Sequence, residues 1–512
     1  MDRIRAGADG LVSLAMVGPW EQMHRRDVLR LAALGVVSAG LAPLVGCGSG
    51  SGESSPTTVP PTTVPFDPDV PWWLQGGFAP VTDEVASTTL EVEGALPPEL
   101  TGLYVRNGSN PRTGVSPHWF LGDGMAHGIR LGAGQAISYA NRYVRTPLYD
   151  ASAGFGEGVP GGAESQSNVS AIWHGGKLLT SGEVGYAYEL SHDDLSTKGV
   201  YDFGGRLKTS MTAHPKIDPA TGQMHFFGYG FVPPFLTYHV ADADGTLVRS
   251  TEVPVPGPTM IHDFAITETD AVFWDLPVVF DLEAAVAMIA DPTGDAFPFS
   301  WDPSYGARIG VLPLGADGAK VQWSEIEPCY VFHGVNAFRH GSEVVVDVCR
   351  HASMFNGGTL GSDLSLRRWT IDTDTGKASE EVVDERSDME LPSRDTRRTG
   401  REHRIGYFAQ NRPADATVDM GGVIKHDYRT GERSVWDPGP TEHSGEWLFV
   451  GDPAGDADDE GWLLSYVTDE ATMRSRFVVL DATDVAAGPV ASVALPQRVP
   501  YGFHGTWVPE GD

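Results

Sequence analysis

The chain of 512 residues carries 68 Asp and Glu against 36 Lys and Arg, a formal net charge of −32 at pH 7. That balance excludes a nucleic-acid partner, since phosphate binding needs a basic surface, and points to a solvated acidic exterior. With 62 Gly and 37 Pro the chain favours many short strands and turns over long helices, and 41 % hydrophobic residues suffice for one large core.

In chain order, residues 1–22 read as neither a signal nor a domain. Residues 23–47 read as an export leader, with Met23 as an alternative start to Met1. Arg25-Arg26 is a twin arginine, and Leu31 to Val45 is an apolar run of about signal-peptide length. That run is too short and too rich in Gly and Ala for a transmembrane helix. It ends in Leu44-Val45-Gly46-Cys47, which resembles a bacterial lipobox whose cysteine takes the lipid. The expectation is an exported cell-envelope lipoprotein on the outer face of the cytoplasmic membrane, held there by lipidated Cys47. Residues 48–70 form a linker, first a flexible Gly/Ser tether and then a stiffer Pro/Thr spacer.

Residues 71–512 read as one all-β domain. Five turn signals recur: Ile217 to Gly222, Ala241 to Gly245, Ile371 to Gly376, His426 to Gly431 and Leu480 to Asp484. Asp and Gly at such spacing allow the positive φ angles of tight hairpins. Strand-like runs such as Gln223 to Tyr229, Glu343 to Cys349 and Trp462 to Val467 flank them. Four-stranded units repeated and closed into a ring predict a β-propeller, although their irregularity leaves the blade number open. Leu282 to Ile289 is the chief helix-like stretch. Cys329 and Cys349 read as two buried free thiols, with a disulfide as the alternative in an exported protein.

Four short words each place a histidine beside small or aromatic neighbours: Thr212-Ala213-His214-Pro215, Ile261-His262-Asp263-Phe264, Phe332-His333-Gly334 and Gly502-Phe503-His504-Gly505. They lie too far apart for any helix or hairpin to join them, so only the tertiary fold can gather them. Imidazole suits Fe, Cu, Zn and Ni, and four of them without a carboxylate would leave open positions on an octahedral ion. Structural zinc usually includes Cys, and catalytic zinc typically keeps three protein ligands. Such a set therefore favours a redox metal that binds O₂.

Gly102-Leu103-Tyr104-Val105-Arg106-Asn107-Gly108, His118-Trp119-Phe120-Leu121-Gly122-Asp123-Gly124-Met125 and Tyr501-Gly502-Phe503-His504-Gly505 resemble the signatures of the carotenoid oxygenase family. The resemblance runs from about Pro71 to about Pro509. It implies a seven-bladed β-propeller with a small helical and loop cap over the metal end. It also implies one Fe²⁺ on His214, His262, His333 and His504, with O₂ and an apolar polyene as partners. Words around Glu183, Glu390 and Glu446 match the glutamates that support the ligands; the pairing with individual histidines stays open, and His214 is implied to go without. The remaining histidines, including His118, His127, His225, His239 and His443, read as structural or surface residues.

The activity implied is oxidative cleavage of a conjugated C=C bond of a carotenoid or apocarotenoid into two carbonyl products. Two departures bear on this. Val169 follows Asn168 where many members carry Thr beside an open iron position, so crowding survives and a hydroxyl is lost. Gly182 stands where stilbene-cleaving relatives carry a phenol-binding Lys, and the first Lys of the chain is Lys177. Cleavage of a stilbene-type bond, isomerisation or ester chemistry on a retinoid-like substrate, and a non-catalytic surface-anchored propeller are the alternatives.

Overall fold

Among the described residues, short antiparallel strands form seven sheets set around one axis, each a propeller blade, and one small two-stranded sheet. The computed structural model describes residues 66–150, 165–290, 297–356, 361, 363–386, 388–412 and 418–511. The leader, the twin arginine, Cys47 and most of the linker lie outside the described residues.

The innermost strands of blades 1 to 7 are Gly505–Pro509, Ser170–His174, Lys216–Ile217, Phe264–Ile266, Tyr330–His340, Met389–Ser393 and Leu448–Gly451. Neighbouring inner strands touch around much of the ring. Middle strands are buried on both faces because adjacent blades sandwich them: Met224–Tyr229 and Leu236–Ala241 are buried throughout. Outer strands such as Leu247–Glu252 and Lys377–Asp384 carry exposed positions along their length. The largest core cluster joins blades 3, 4 and 5 through Phe227, Phe264, Phe273, Trp274 and Trp369. Its rings meet both edge to face and stacked, geometries that aromatic quadrupoles favour when offset; Phe227 and Phe264 are 5.2 Å apart at 82°, and Phe264 and Phe273 5.6 Å apart at 13°.

The ring is closed from both ends of the chain. Val92–Gly94 pairs with Pro489–Ala494 on the outside of blade 7, and Gly505–Pro509 pairs with Gly102–Ser109 on the inside of blade 1. Buried Arg106 reinforces the second seam, donating from Nη2 to the Pro500 carbonyl at 2.6 Å. Beside it, Asn107 N–H donates to the His504 carbonyl and Phe503 N–H to the Asn107 carbonyl, at 3.1 and 3.0 Å. The opening sequence word thus fixes the closing one.

Each of the five turn signals joins neighbouring strands of one sheet. In three of them the pattern Asp-x-x-Thr-Gly repeats. The Asp carboxylate accepts the N–H two residues on, and Gly222, Gly376 and Gly431 take φ of 71°, 70° and 71°. A Cβ would make that backbone costly, so glycine ends the turn.

Blade 4 carries an insertion between its second and third strands. Val278–Phe280 pairs with Phe299–Trp301, and the helix Leu282–Ala290 rises between them. Asp281 starts the helix, its carboxylate accepting from Ala284 N–H at 3.0 Å. This insertion is the cap expected from the sequence, its helix one residue longer than the helix-like stretch. Among the described residues no helix is long and apolar enough to cross a membrane. Cys329 and Cys349 are both buried and free, and burial pushes the Cys329 thiol up to about 12.

Candidate metal centre

The four histidines converge where the axis meets the cap. His214, His262 and His504 lie one or two residues before the inner strands of blades 3, 4 and 1, where the chain turns from a loop into the sheet. His333 lies inside the inner strand of blade 5, at a register shift between Val331 and Gly334. Such a bulge re-aims a side chain that regular pairing would leave between the blades. One ring nitrogen from each of the four lies within 4.8 Å of all the others. Among the described residues no Asp, Glu or Cys joins the cluster.

Blades 2, 6 and 7 supply the carboxylates. His262 Nδ1 meets Glu183 Oε2 at 2.9 Å, His333 Nδ1 meets Glu390 Oε2 at 2.6 Å, and His504 Nδ1 meets Glu446 Oε1 at 3.0 Å. This is the pairing that the sequence left open. A carboxylate only accepts, so in each pair Nδ1 carries the proton and the Nε2 lone pair faces the axis. His333 Nε2 is buried without a hydrogen-bond partner among the described residues, and His214 and His262 bring their Nε2 atoms to 2.9 Å. Converging lone pairs repel one another unless a cation lies between them. The donor set therefore fits a metal ion.

Electrostatics agree. Burial pushes the His214 imidazole well below its ordinary value, and the other three rings push the same way, so His214 stays neutral without a carboxylate. Burial would also lower His262, but the Glu183 carboxylate and its hydrogen bond raise it overall. Burial would raise the Glu390 carboxyl. His333 and His351 outweigh it through charge and hydrogen bonds and hold the carboxyl far below the usual range.

The second oxygen of each carboxylate is also engaged. Tyr229 O–H donates to Glu183 Oε1 at 3.0 Å, Gly505 N–H to Glu446 Oε2 at 2.8 Å, and His351 Nε2 lies 3.2 Å from Glu390 Oε1. The sequence reading grouped His351 with the structural histidines and passed over Tyr229. His118, His127, His225, His239 and His443 do lie outside the centre, paired with a backbone amide, Tyr139, Tyr238, Ser250 and Asp419 respectively.

A cavity of about 260 Å³ opens above the imidazoles. Aromatic rings dominate its walls, among them Trp119, Phe120, Phe231, Phe280, Phe299 and Phe332. No Lys, Arg or Asp lines it among the described residues, and its carboxylates, Glu183 and Glu390, are tied to histidines. Val169 reaches the same wall, packed with Ala213 and Phe503, and its carbonyl accepts from His504 N–H at 3.0 Å. Gly182 lines the cavity too. A Cβ there would come within 3.0 Å of Ser165 Oγ and 3.2 Å of Ser167 N.

Fold and site together define a β-propeller built around a histidine-only centre able to hold a metal, set in the wall of an apolar cavity. A family model described as retinal pigment epithelial membrane protein matches residues 78–509. The chain is 37 % identical to a carotenoid cleavage oxygenase of Mycobacterium tuberculosis, over 85 % of this chain and 97 % of that protein. It is 35 % identical to carotenoid 9,10(9',10')-cleavage dioxygenase 1 of Arabidopsis thaliana, over 86 % of this chain and 90 % of that one. Among solved structures, lignostilbene dioxygenase of Pseudomonas brassicacearum superposes with a TM-score of 0.78 at 27 % identity, covering 87 % of this chain and 100 % of that one. Cobalt-substituted ACO of Synechocystis, an apocarotenoid oxygenase, gives 0.75 at 25 % identity, covering 85 % and 98 %. The chain belongs to the carotenoid oxygenase family.

Proposed function

We propose that this protein is a non-haem Fe(II) dioxygenase that cleaves a conjugated C=C bond of a carotenoid or apocarotenoid. One C=C bond and one O₂ become two C=O groups, with no other reactant. The observation that carries this reading is the placement of four imidazoles, three backed by carboxylates, in the wall of an aromatic cavity that no cationic side chain lines among the described residues. His214, His262, His333 and His504 would hold the ion, which when bound supplies O₂ activation at positions the ligands leave open.

The chain's own residues do the rest. Glu183, Glu390 and Glu446 fix the tautomer and tilt of three rings. Val169 crowds the centre from the side of His504, limiting what can occupy the position beside it. The aromatic walls take a flat, rigid polyene and keep water from the reacting bond. Cleavage of this kind requires no general acid or base, and among the described residues none faces the cavity free.

Superposition on a lignostilbene dioxygenase keeps stilbene cleavage as the rival reading. Three features weigh against it. No cationic side chain lines the cavity among the described residues, the Tyr229 hydroxyl is committed to Glu183, and Gly182 leaves little room for a side chain. A phenolate would lack an anchor, whereas an apolar chain gains about 0.8 kcal/mol per buried CH₂ without one. The leader adds a second part to the proposal. A tether at Cys47 would keep the enzyme at a membrane surface, where such substrates dissolve. Turnover of a panel of carotenoids, apocarotenoids and stilbenes by iron-loaded protein tests the substrate assignment, with polyene cleavage expected.

A further inference from the structure

Glu183 and Glu446 each receive one imidazole, while Glu390 receives two. Its Oε2 accepts from His333 Nδ1 and from Leu391 N–H, both at 2.6 Å, and its Oε1 lies 3.2 Å from His351 Nε2. His351 ends the second strand of blade 5, opposite Tyr330, and is 8 % exposed. Its ring stands edge-on to Phe332, at 6.2 Å and 85°, and lines the same cavity as the metal cluster.

We propose that His351 is a positioning residue for the metal centre, acting through Glu390. This inference rests on the metal reading above. Leu391 N–H and His333 pull on a single carboxylate oxygen, which leaves the plane of the carboxylate free to turn about that point. A donor on the other oxygen removes that freedom, and the only side chain placed to do so among the described residues is His351. Corresponding donors on the other two carboxylates are a tyrosine hydroxyl and a backbone amide. The amide is fixed by the sheet. His351 is fixed by a strand end and one aromatic contact, and it forms part of the wall that substrate touches. It therefore ties the orientation of His333 to the packing of the cavity.

The test uses the full chain stripped of metal and titrated anaerobically with Fe(II) against a competing chelator. His351→Phe keeps a ring and loses the donor; His351→Gln keeps a donor where Nε2 stands. The Phe variant should bind Fe(II) about 10–100-fold more weakly, the effect typical of lost outer-shell support. The Gln variant should match wild type, and both metal-free proteins should melt with wild type. Adding His351→Phe to Glu390→Gln should change Fe(II) affinity no further, because the first acts through the second. Wild-type affinity in the Phe variant, an equal loss in the Gln variant, or additive losses in the double variant would each overturn the inference. A Phe variant that does not fold leaves the Gln variant and the double variant built with His351→Leu to decide it. Wild type that takes up no Fe(II) overturns the metal reading itself, an outcome separate from all of these.

Discussion

His214 and His262 point their Nε2 atoms at each other across 2.9 Å, with no carboxylate on His214 and Glu183 behind His262. A neutral His214 can donate across that gap only by turning its proton toward the axis, where two more lone pairs already point. A cation resolves the conflict for all four rings at once. Loading with iron should therefore stabilise the fold, by about 2.7 kcal/mol when free metal is about 100 times its dissociation constant. Calorimetric melts with and without Fe(II) check this. Ala at any of His214, His262, His333 or His504 should abolish the metal-dependent shift and turnover while leaving the propeller folded.

Loss of the supporting carboxylates should be milder. Glu183→Gln, Glu390→Gln and Glu446→Gln should each cost about 10–100-fold in iron retention or rate. His118→Ala and His443→Ala, whose rings serve a helix cap and an Asp419 contact away from the cluster, should do far less. Iron content and kcat measured on the same preparations separate the two groups. Equal losses in both would mean that folding damage, not ligand support, is being read.

Much of this was legible in the chain because each ligand histidine sits in a compact word. Small neighbours such as Ala213, Gly334 and Gly505 let the backbone turn beside the histidine cluster, and these words survive as local patterns. The repeated Asp-x-x-Thr-Gly turns were legible for the same reason, since their chemistry is complete within five residues. The blade number was not. Val92–Gly94 and Gly505–Pro509 close sheets whose other strands lie hundreds of residues away, and no local pattern records that. The Glu-to-His pairing depends equally on which blade follows which. His351 was missed because it ends the Val-rich run Val344 to Cys349, which reads as an ordinary core strand. Only packing shows that its ring leaves the sheet toward Glu390.

Three buried histidines away from the centre set a pH limit on stability. Burial holds His225 at about 4 and His239 and His403 at about 3, below the ordinary value near 6.5. Between about pH 6.5 and 4 the unfolded chain binds protons that the folded chain refuses, so stability rises with pH in that window and falls on acidification. Each group contributes up to about 1.4 kcal/mol per pH unit. Urea unfolding of metal-free protein at about pH 7, 6 and 5 should show a progressive loss. Stability that is flat or improves on acidification would contradict the neutral burial of these rings.

The leader makes a separate prediction. The mature protein should begin at a lipidated Cys47 and partition with membranes. Cys47→Ser should release it or block processing, and Arg25→Lys with Arg26→Lys should stop export. Mass spectrometry of the native N-terminus checks the first, and cell fractionation the others. A native chain that keeps Met1 or Met23 in the cytoplasm would refute the export reading.

The reaction proposed is oxidative cleavage of a polyene at a histidine-held iron. Its most direct test is the mass of the products formed by one iron-loaded preparation offered carotenoids, apocarotenoids and 4-hydroxystilbenes under ¹⁸O₂. The account predicts two carbonyl products from a polyene, their masses summing to substrate plus O₂ with label from the gas, and slow or no turnover of the stilbene. Fast cleavage of the phenolic stilbene with every polyene untouched would contradict it.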